Sequence, residues 1–157
     1  MIGNIDILVK ELCKLPKEVG WVEFKHNNCE PSMIGEDISA LANTATLNDR
    51  DYAYMIWGVD DTTHEIIGTK VRLQLEKKGE QELENWLRYM LSKNADFEYY
   101  DAEIDGNHVE LIRIHKALNE PVLTSSLRTP KIFVKEFSYF LMPCHQHGLG
   151  VNLLVQR

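Results

Sequence analysis

Hydrophobic and polar positions along the chain change period several times, and each change marks an element. Ile5, Leu8, Val9 and Leu12 recur at helical spacing behind Asn4, a capping residue, and Pro16 closes the run, which predicts a first amphipathic helix packed on a sheet. Trp21-Val22-Glu23-Phe24-Lys25 then alternates, the pattern of a half-buried strand with Val22 and Phe24 on one face and Glu23 and Lys25 on the other. A turn-rich stretch leads to Ser32, with Glu36 and Asp37 close behind, which suits the start of a second helix. Its stripe of Ile34, Ile38, Leu41, Ala42 and Ala45 is rich in small residues that allow close approach to a sheet, and Asn43-Thr44 is expected to end it. Tyr52 to Val59 is the most apolar strand, expected to be central and to stop at Asp60-Asp61, with Glu65-Ile66-Ile67-Gly68 returning as a hairpin partner.

Further on, Leu83, Trp86, Leu87, Met90 and Leu91 predict a third helix over 81–91. Two alternating runs, 97–104 and 108–114, joined by Asp105-Gly106-Asn107, predict a hairpin with glycine in its turn. Pro121-Val122-Leu123 and Lys131-Ile132-Phe133-Val134 add short strands, and no firm pattern continues beyond Pro143. The succession predicts one α+β domain over 1–135, a mixed or antiparallel sheet with about three helices packed on it, followed by a tail over 136–157.

Composition narrows the class. The 157 residues fit one domain with a real core, and 44% apolar and 26% charged residues exclude disordered and fibrous classes. No apolar run approaches the roughly 20 residues that span a bilayer. MIGNIDILVKELCKLP lacks the basic-then-apolar order of a secretory signal, so a cytoplasmic protein without a membrane partner is expected. Cys13, Cys29 and Cys144 are widely spaced and form no CxxC pair, which reads as idle thiols.

A net charge of −7 argues against indiscriminate nucleic-acid binding. The charge is unevenly spread, however: residues 1–110 hold 11 Lys/Arg against 22 Asp/Glu, and residues 111–157 hold 6 against 2. The final third is thus net positive, which leaves room for a basic face, with Arg113, Lys116, Arg128, Lys131 and Lys135 as candidate nucleic-acid contacts.

Three short motifs concentrate the chemistry: Glu18-x-x-x-x-Glu23-Phe24-Lys25, then Ala40-Leu41-Ala42-Asn43-Thr44, then Ile56-Trp57-Gly58-Val59-Asp60-Asp61 with Gly68 after Ile66-Ile67. In this order and spacing they resemble the Schlafen-type AlbA_2 domain, over roughly residues 15–115 with the motifs confined to 18–68. The resemblance implies a module that binds DNA or RNA, in a protein of transcription regulation or defence, with a homodimer or another partner completing the groove. Animal Schlafens clamp tRNA or rRNA between two such units, and some cleave it with an acidic triad. Carried onto this chain, the catalytic positions are Glu18, Glu23 and one of Asp60 or Asp61, a choice the sequence leaves open. As metal ligands, Glu18, Glu23 and Asp60 would hold Mg²⁺ or Mn²⁺, a hard cation on carboxylate oxygens that activates water.

Lys25 shares a strand face with Glu23, where it would meet a phosphate or offset the acidic cluster, and Asn43 would donate to a carboxylate or cap a turn; both are candidate nucleic-acid contacts. A plainer account fits the same residues: carboxylates at strand ends as turn formers, and Glu23 with Lys25 as an exposed ion pair. Nucleic-acid binding is therefore placed first and a metal-dependent ribonuclease second. A protein-interaction or oligomerisation domain without nucleic acid stands third.

The chain also departs from the family pattern. A long charged loop, 45–51, stands where a Gly-Gly loop is usual, Val19 replaces a serine, and residues 132–137 only loosely match the closing Tyr-x-Arg-x-Gly-Ser strand. There is no GxxxxGK[ST] phosphate loop, and Cys144-His145-Gln146-His147 lacks the paired spacing of a zinc site. Ser125-Ser126 and His115 make no nucleophile elbow. Tyr52, Tyr54, Tyr99 and Tyr100 have the right chemistry to stack bases, but are expected to face the core or the strand surface.

Overall fold

The computed structural model describes residues 3–16, 19–126, 129–135 and 152–156, and for 126, 129–135 and 152–156 the backbone alone. Helix α1 spans Ile5–Cys13; the Ile7 amide donates to Asn4 Oδ1 at 3.2 Å, which satisfies one of the free donors of the first turn. Strand β1 is Val22–Lys25, and helix α2 follows at Pro31–Leu47. Its cap is Glu30, not Ser32: the Glu30 carboxylate accepts from the Met33 amide at 2.8 Å, and Pro31 takes the first helical turn, where its missing N–H costs nothing.

The helix also runs past Asn43-Thr44, where the sequence predicts its end. Asn43 spends its amide on a neighbouring chain segment, and the Thr46 hydroxyl donates to Ala117 O at 2.8 Å. The Asn43 amide therefore does not compete with the helical backbone, and the Thr46 hydroxyl is shared between Ala117 O and Ala42 O, at 3.2 Å, one turn back.

Strand β2 is Tyr52–Trp57. The expected return strand at 65–68 does not form; Val59 and Ile66 make an isolated bridge. Gly58 at φ 96° and Gly68 at φ 80° turn the chain out of the extended region, and a Cβ on Gly58 would lie 2.9 Å from His108 O. A short ribbon follows, β3 Lys77–Lys78 with β4 Gln81–Glu82, which the sequence does not anticipate; it delays the third helix, α3, to Leu83–Met90.

The predicted hairpin is present as β5 Phe97–Ile104 and β6 Asn107–His115. Its two turn residues, Asp105 and Gly106, both have positive φ, 52° and 81°, the hand that matches strand twist. Three further strands are β7 Leu123–Ser126, β8 Thr129–Lys135 and β9 Asn152–Gln156. The last of these lies in the stretch where the sequence shows no firm pattern.

The main sheet runs β1-β2-β6-β5, with β1 parallel to β2 and the other pairs antiparallel, so the α+β fold with a mixed sheet is as predicted. A second sheet, β7-β8-β9, lies with β8 beside α2. Alternation along the strands divides the core. Val22, Phe24, Ile56, Val109 and Leu111 pack with Val9 and Leu12 of α1 on one face. Met55, Trp57, Ile112, Ile114 and Phe97 pack with Ile34, Ile38 and Leu41 of α2 and Leu83 and Leu87 of α3 on the other. Held between sheets, α2 is buried on nearly every side from Ile34 to Ala45, which is why its apolar stripe is broad and its residues are small. Among the described residues no helix is long and apolar enough to cross a membrane.

Candidate functional site

The Glu-Phe-Lys strand sends its polar residues toward α2. There the Lys25 ammonium stands 2.8 Å from Asp37 Oδ2 and 3.4 Å from Glu23 Oε1, with Lys25 and Asp37 only 10% and 8% exposed. Burial opposes the charge of Lys25, but Asp37 and then Glu23 outweigh it and raise its pKa above the usual lysine value. Lys25 is thus the centre of a buried ion-pair network. The sequence reading missed Asp37 as its partner, although its place in the second turn of the helix after the strand was the available cue.

Asp60 sits beyond Gly58 in a tight turn. Its Oδ1 accepts the amides of Thr63 at 2.7 Å and Thr62 at 2.9 Å, and these bonds hold the carboxyl below the usual range. Asp61 is exposed and accepts from the Thr62 hydroxyl at 3.4 Å. The turn leans on the α1 side of the sheet: the His64 ring lies 4.6 Å from that of Phe24, and its Nδ1 is 3.3 Å from Cys13 O. Glu23 points to the α2 side, so the fold does not draw it to Asp60. Glu18 lies outside the described residues. Among those described, no group of three or more His, Cys, Asp or Glu stands close enough to hold a metal. The triad that the resemblance implies includes Glu18, so the described residues do not by themselves make up a divalent-ion site, and no metal-borne step follows from them.

Asn43 is buried, and its amide clamps the backbone of Val122, donating to the carbonyl at 3.0 Å and accepting from the N–H at 2.8 Å. Ser39 adds a second bond to the same carbonyl at 2.7 Å. Two polar residues of α2 thus hold the chain just before β7. Burial pushes the Cys29 thiol up to about 12, as it raises that of Cys13, so neither is poised as a nucleophile. Cys144 lies outside the described residues.

His108 has its ring nitrogens 3.0 Å from Glu103 Oε1 and 2.9 Å from Glu110 Oε1, a carboxylate on either side that the sequence reading did not single out. Burial, opposed by His108, raises the pKa of Glu110.

The basic candidates separate. Lys131 and Lys135 lie on β8, where the backbone alone is described, and Arg128 lies outside the described residues. Arg113 and Lys116 meet at the end of the sheet that α1 leaves open. Strand alternation gives Arg113 the same face as Tyr54, its cross-strand partner, and Glu98 grips its guanidinium through Nε at 2.6 Å and through a second guanidinium nitrogen. The guanidinium carbon lies 4.6 Å from the Tyr52 ring centroid and 5.5 Å from that of Tyr100. Burial would raise the Glu98 carboxyl, but Arg113 and Tyr100 overcome it and lower it.

Beside this group Arg50 stacks 4.7 Å over Trp21, whose ring meets Tyr54 edge-on at 6.3 Å, and Tyr52 meets His115 at 4.9 Å. Lys116 pairs with Asp51 at 2.9 Å. Among the described residues Arg50 has no carboxylate within ion-pair distance. The tyrosines expected to face the core or the strand surface thus divide: Tyr99 packs against the α2 core, whereas Tyr52, Tyr54 and Tyr100 share the half-open face with Arg113. Trp21 and Arg50 were not singled out from the sequence, because their stacking depends on the loop after α2 folding back beside β1.

Residues 18–138 match the family described as Schlafen, AlbA_2. No curated protein matches the chain. Among solved structures, the N-terminal domain of a RecG-related protein from Nitrosomonas europaea is similar in fold, with a TM-score of 0.56 and 18% identity, over 94% of this chain and 100% of that domain. The DIP2311 protein from Corynebacterium diphtheriae aligns at 18% identity with a TM-score of 0.49, over 76% of this chain; the match spans 23% of that longer chain.

Proposed function

The chain belongs to the Schlafen AlbA_2 family, and from that premise we propose that it is a nucleic-acid-binding domain of a cytoplasmic regulatory or defence protein. The observation that supports this is the gathering of exposed Arg50 and half-buried Lys116 at one end of the sheet among aromatic rings, with Arg113 buried against them on Glu98, in a chain of net charge −7. Screening confines the effect of distant carboxylates to about 10 Å at 0.1 M salt, so a phosphate backbone responds to the local cations more than to the total charge. The Nitrosomonas neighbour is named for its relation to a DNA helicase, which agrees with this reading. Binding is the function proposed, because the cations and rings of this face support it directly, whereas the acidic triad of a ribonuclease rests on Glu18, which lies outside the described residues.

Fluorescence anisotropy with labelled tRNA, single-stranded RNA and duplex DNA, at low and moderate salt, tests it. The expected result is binding that weakens as salt rises. Failure to bind any of the three at low salt contradicts it.

A further inference from the structure

Rings and cations alternate on the open half of the sheet in a way that a phosphate backbone alone does not require. Tyr52 and Tyr54 stand two residues apart on β2 and so point the same way, about 6.6 Å apart along the strand. Tyr100 on β5 flanks Arg113 from the other side, and Trp21 extends the row past Tyr54 to the edge of the sheet. Each of these four rings is half-buried, with part of its surface open. Next to Tyr52 a cleft of about 170 Å³ is lined by Asp51, Tyr52, His115, Lys116 and Leu118. That is room for a heterocycle, with a carboxylate and an ammonium at its rim.

The tyrosines hold fixed places. Tyr100 donates its hydroxyl to Glu98 at 3.0 Å, and Glu98 holds Arg113, which lies against Tyr52. Rings locked in this way stack on a ligand with little loss of side-chain freedom.

We infer that this face takes single-stranded nucleic acid by stacking unpaired bases on Tyr52, Tyr54 and Tyr100, with Arg50 on a phosphate. The inference rests on the nucleic-acid-binding function proposed above and adds the strandedness and the mode of contact. Base faces are hidden inside a duplex and open in a single strand, so a row of rings selects the latter. Arg50 is the cation a phosphate would meet first, because Lys116 and Arg113 are held by Asp51 and Glu98, and Arg50 has no carboxylate within ion-pair distance among the described residues.

An abasic oligonucleotide separates stacking from charge without altering the protein, since it keeps the phosphates and lacks the bases. Anisotropy titrations of the native chain should give at least about tenfold weaker binding for the abasic strand, and for a duplex, than for a single-stranded RNA of equal length. Tyr52→Leu should weaken the RNA about tenfold and leave the abasic strand unchanged, with Tyr52→Phe restoring the loss. Equal affinity for RNA and abasic strand overturns stacking while leaving nucleic-acid binding intact. No binding of either at low salt removes the function on which the inference rests.

Discussion

Lys25 Nζ and Asp37 Oδ2 stand 2.8 Å apart in the interior between β1 and α2, so the cation of the Glu-Phe-Lys motif is committed to holding a helix against a strand. Removing it takes the cation from a buried carboxylate. Lys25→Met is predicted to lower unfolding free energy by roughly 3–5 kcal/mol in urea denaturation. Adding Asp37→Leu should recover much of the loss, since an apolar pair needs no counter-charge. A loss below about 1 kcal/mol in the single variant would show that the pair behaves as a surface contact.

The same pair sets a pH dependence. Asp37 and Glu23 raise the pKa of Lys25 against the opposing effect of burial, so the folded chain holds that proton more tightly than the unfolded chain. Its stabilising contribution is fully present below the unfolded value of about 10.5 and is lost as pH rises through the higher folded value. Urea midpoints measured from neutral to strongly alkaline pH should therefore fall more steeply for the native chain than for Lys25→Met. Parallel curves would contradict this.

Asn43 predicts a stability effect without a binding effect. Asn43→Ala breaks both bonds to Val122 and takes the partner from its N–H in the interior, while Ser39 still holds the carbonyl, at a cost of roughly 2 kcal/mol. RNA affinity of the folded fraction should not change, because the amide faces inward. Weakened binding at conditions where the variant is fully folded would return Asn43 to the ligand.

Arg50 predicts the reverse. Its side chain is exposed and touches only the Trp21 ring among the contacts found, so Arg50→Ala should alter thermal stability little. The slope of log affinity against log salt should fall by about 1, the signature of one lost phosphate contact. An unchanged slope places the nucleic acid elsewhere.

Much of this architecture was legible from periodicity alone. Asn4 before Ile5, the alternation at Val22 to Lys25, and Asp105-Gly106 between two alternating runs each carried a local rule strong enough to fix an element. Where local rules misled, tertiary contacts had taken over. Asn43-Thr44 looks like a helix terminator, yet Asn43 and Thr46 serve as cross-links from a helix held between sheets, and nothing within five residues of either reveals Val122 or Ala117. Ile66 and Ile67 look like a strand, but the turns at Gly58 and Gly68 cut the return to one bridge, Val59 with Ile66.

The site was legible by half. Lys25 was found without Asp37, and Arg113 without Tyr52, because each pair joins elements far apart in the chain. The motif order pointed to the family, but the candidate face joins residues that lie between the motifs, Arg50, Tyr52 and Tyr54, to Tyr100, Arg113 and Lys116 far beyond them.

Backbone amide chemical-shift mapping during titration with single-stranded RNA tests the central claim most directly. The predicted result is a contiguous set of perturbed resonances at Trp21, 50–54, 98–100 and 113–116, the open half of the sheet. Perturbations confined to Glu23 and the 60–64 turn, with residues 50–54 and 113–116 unmoved, would contradict it.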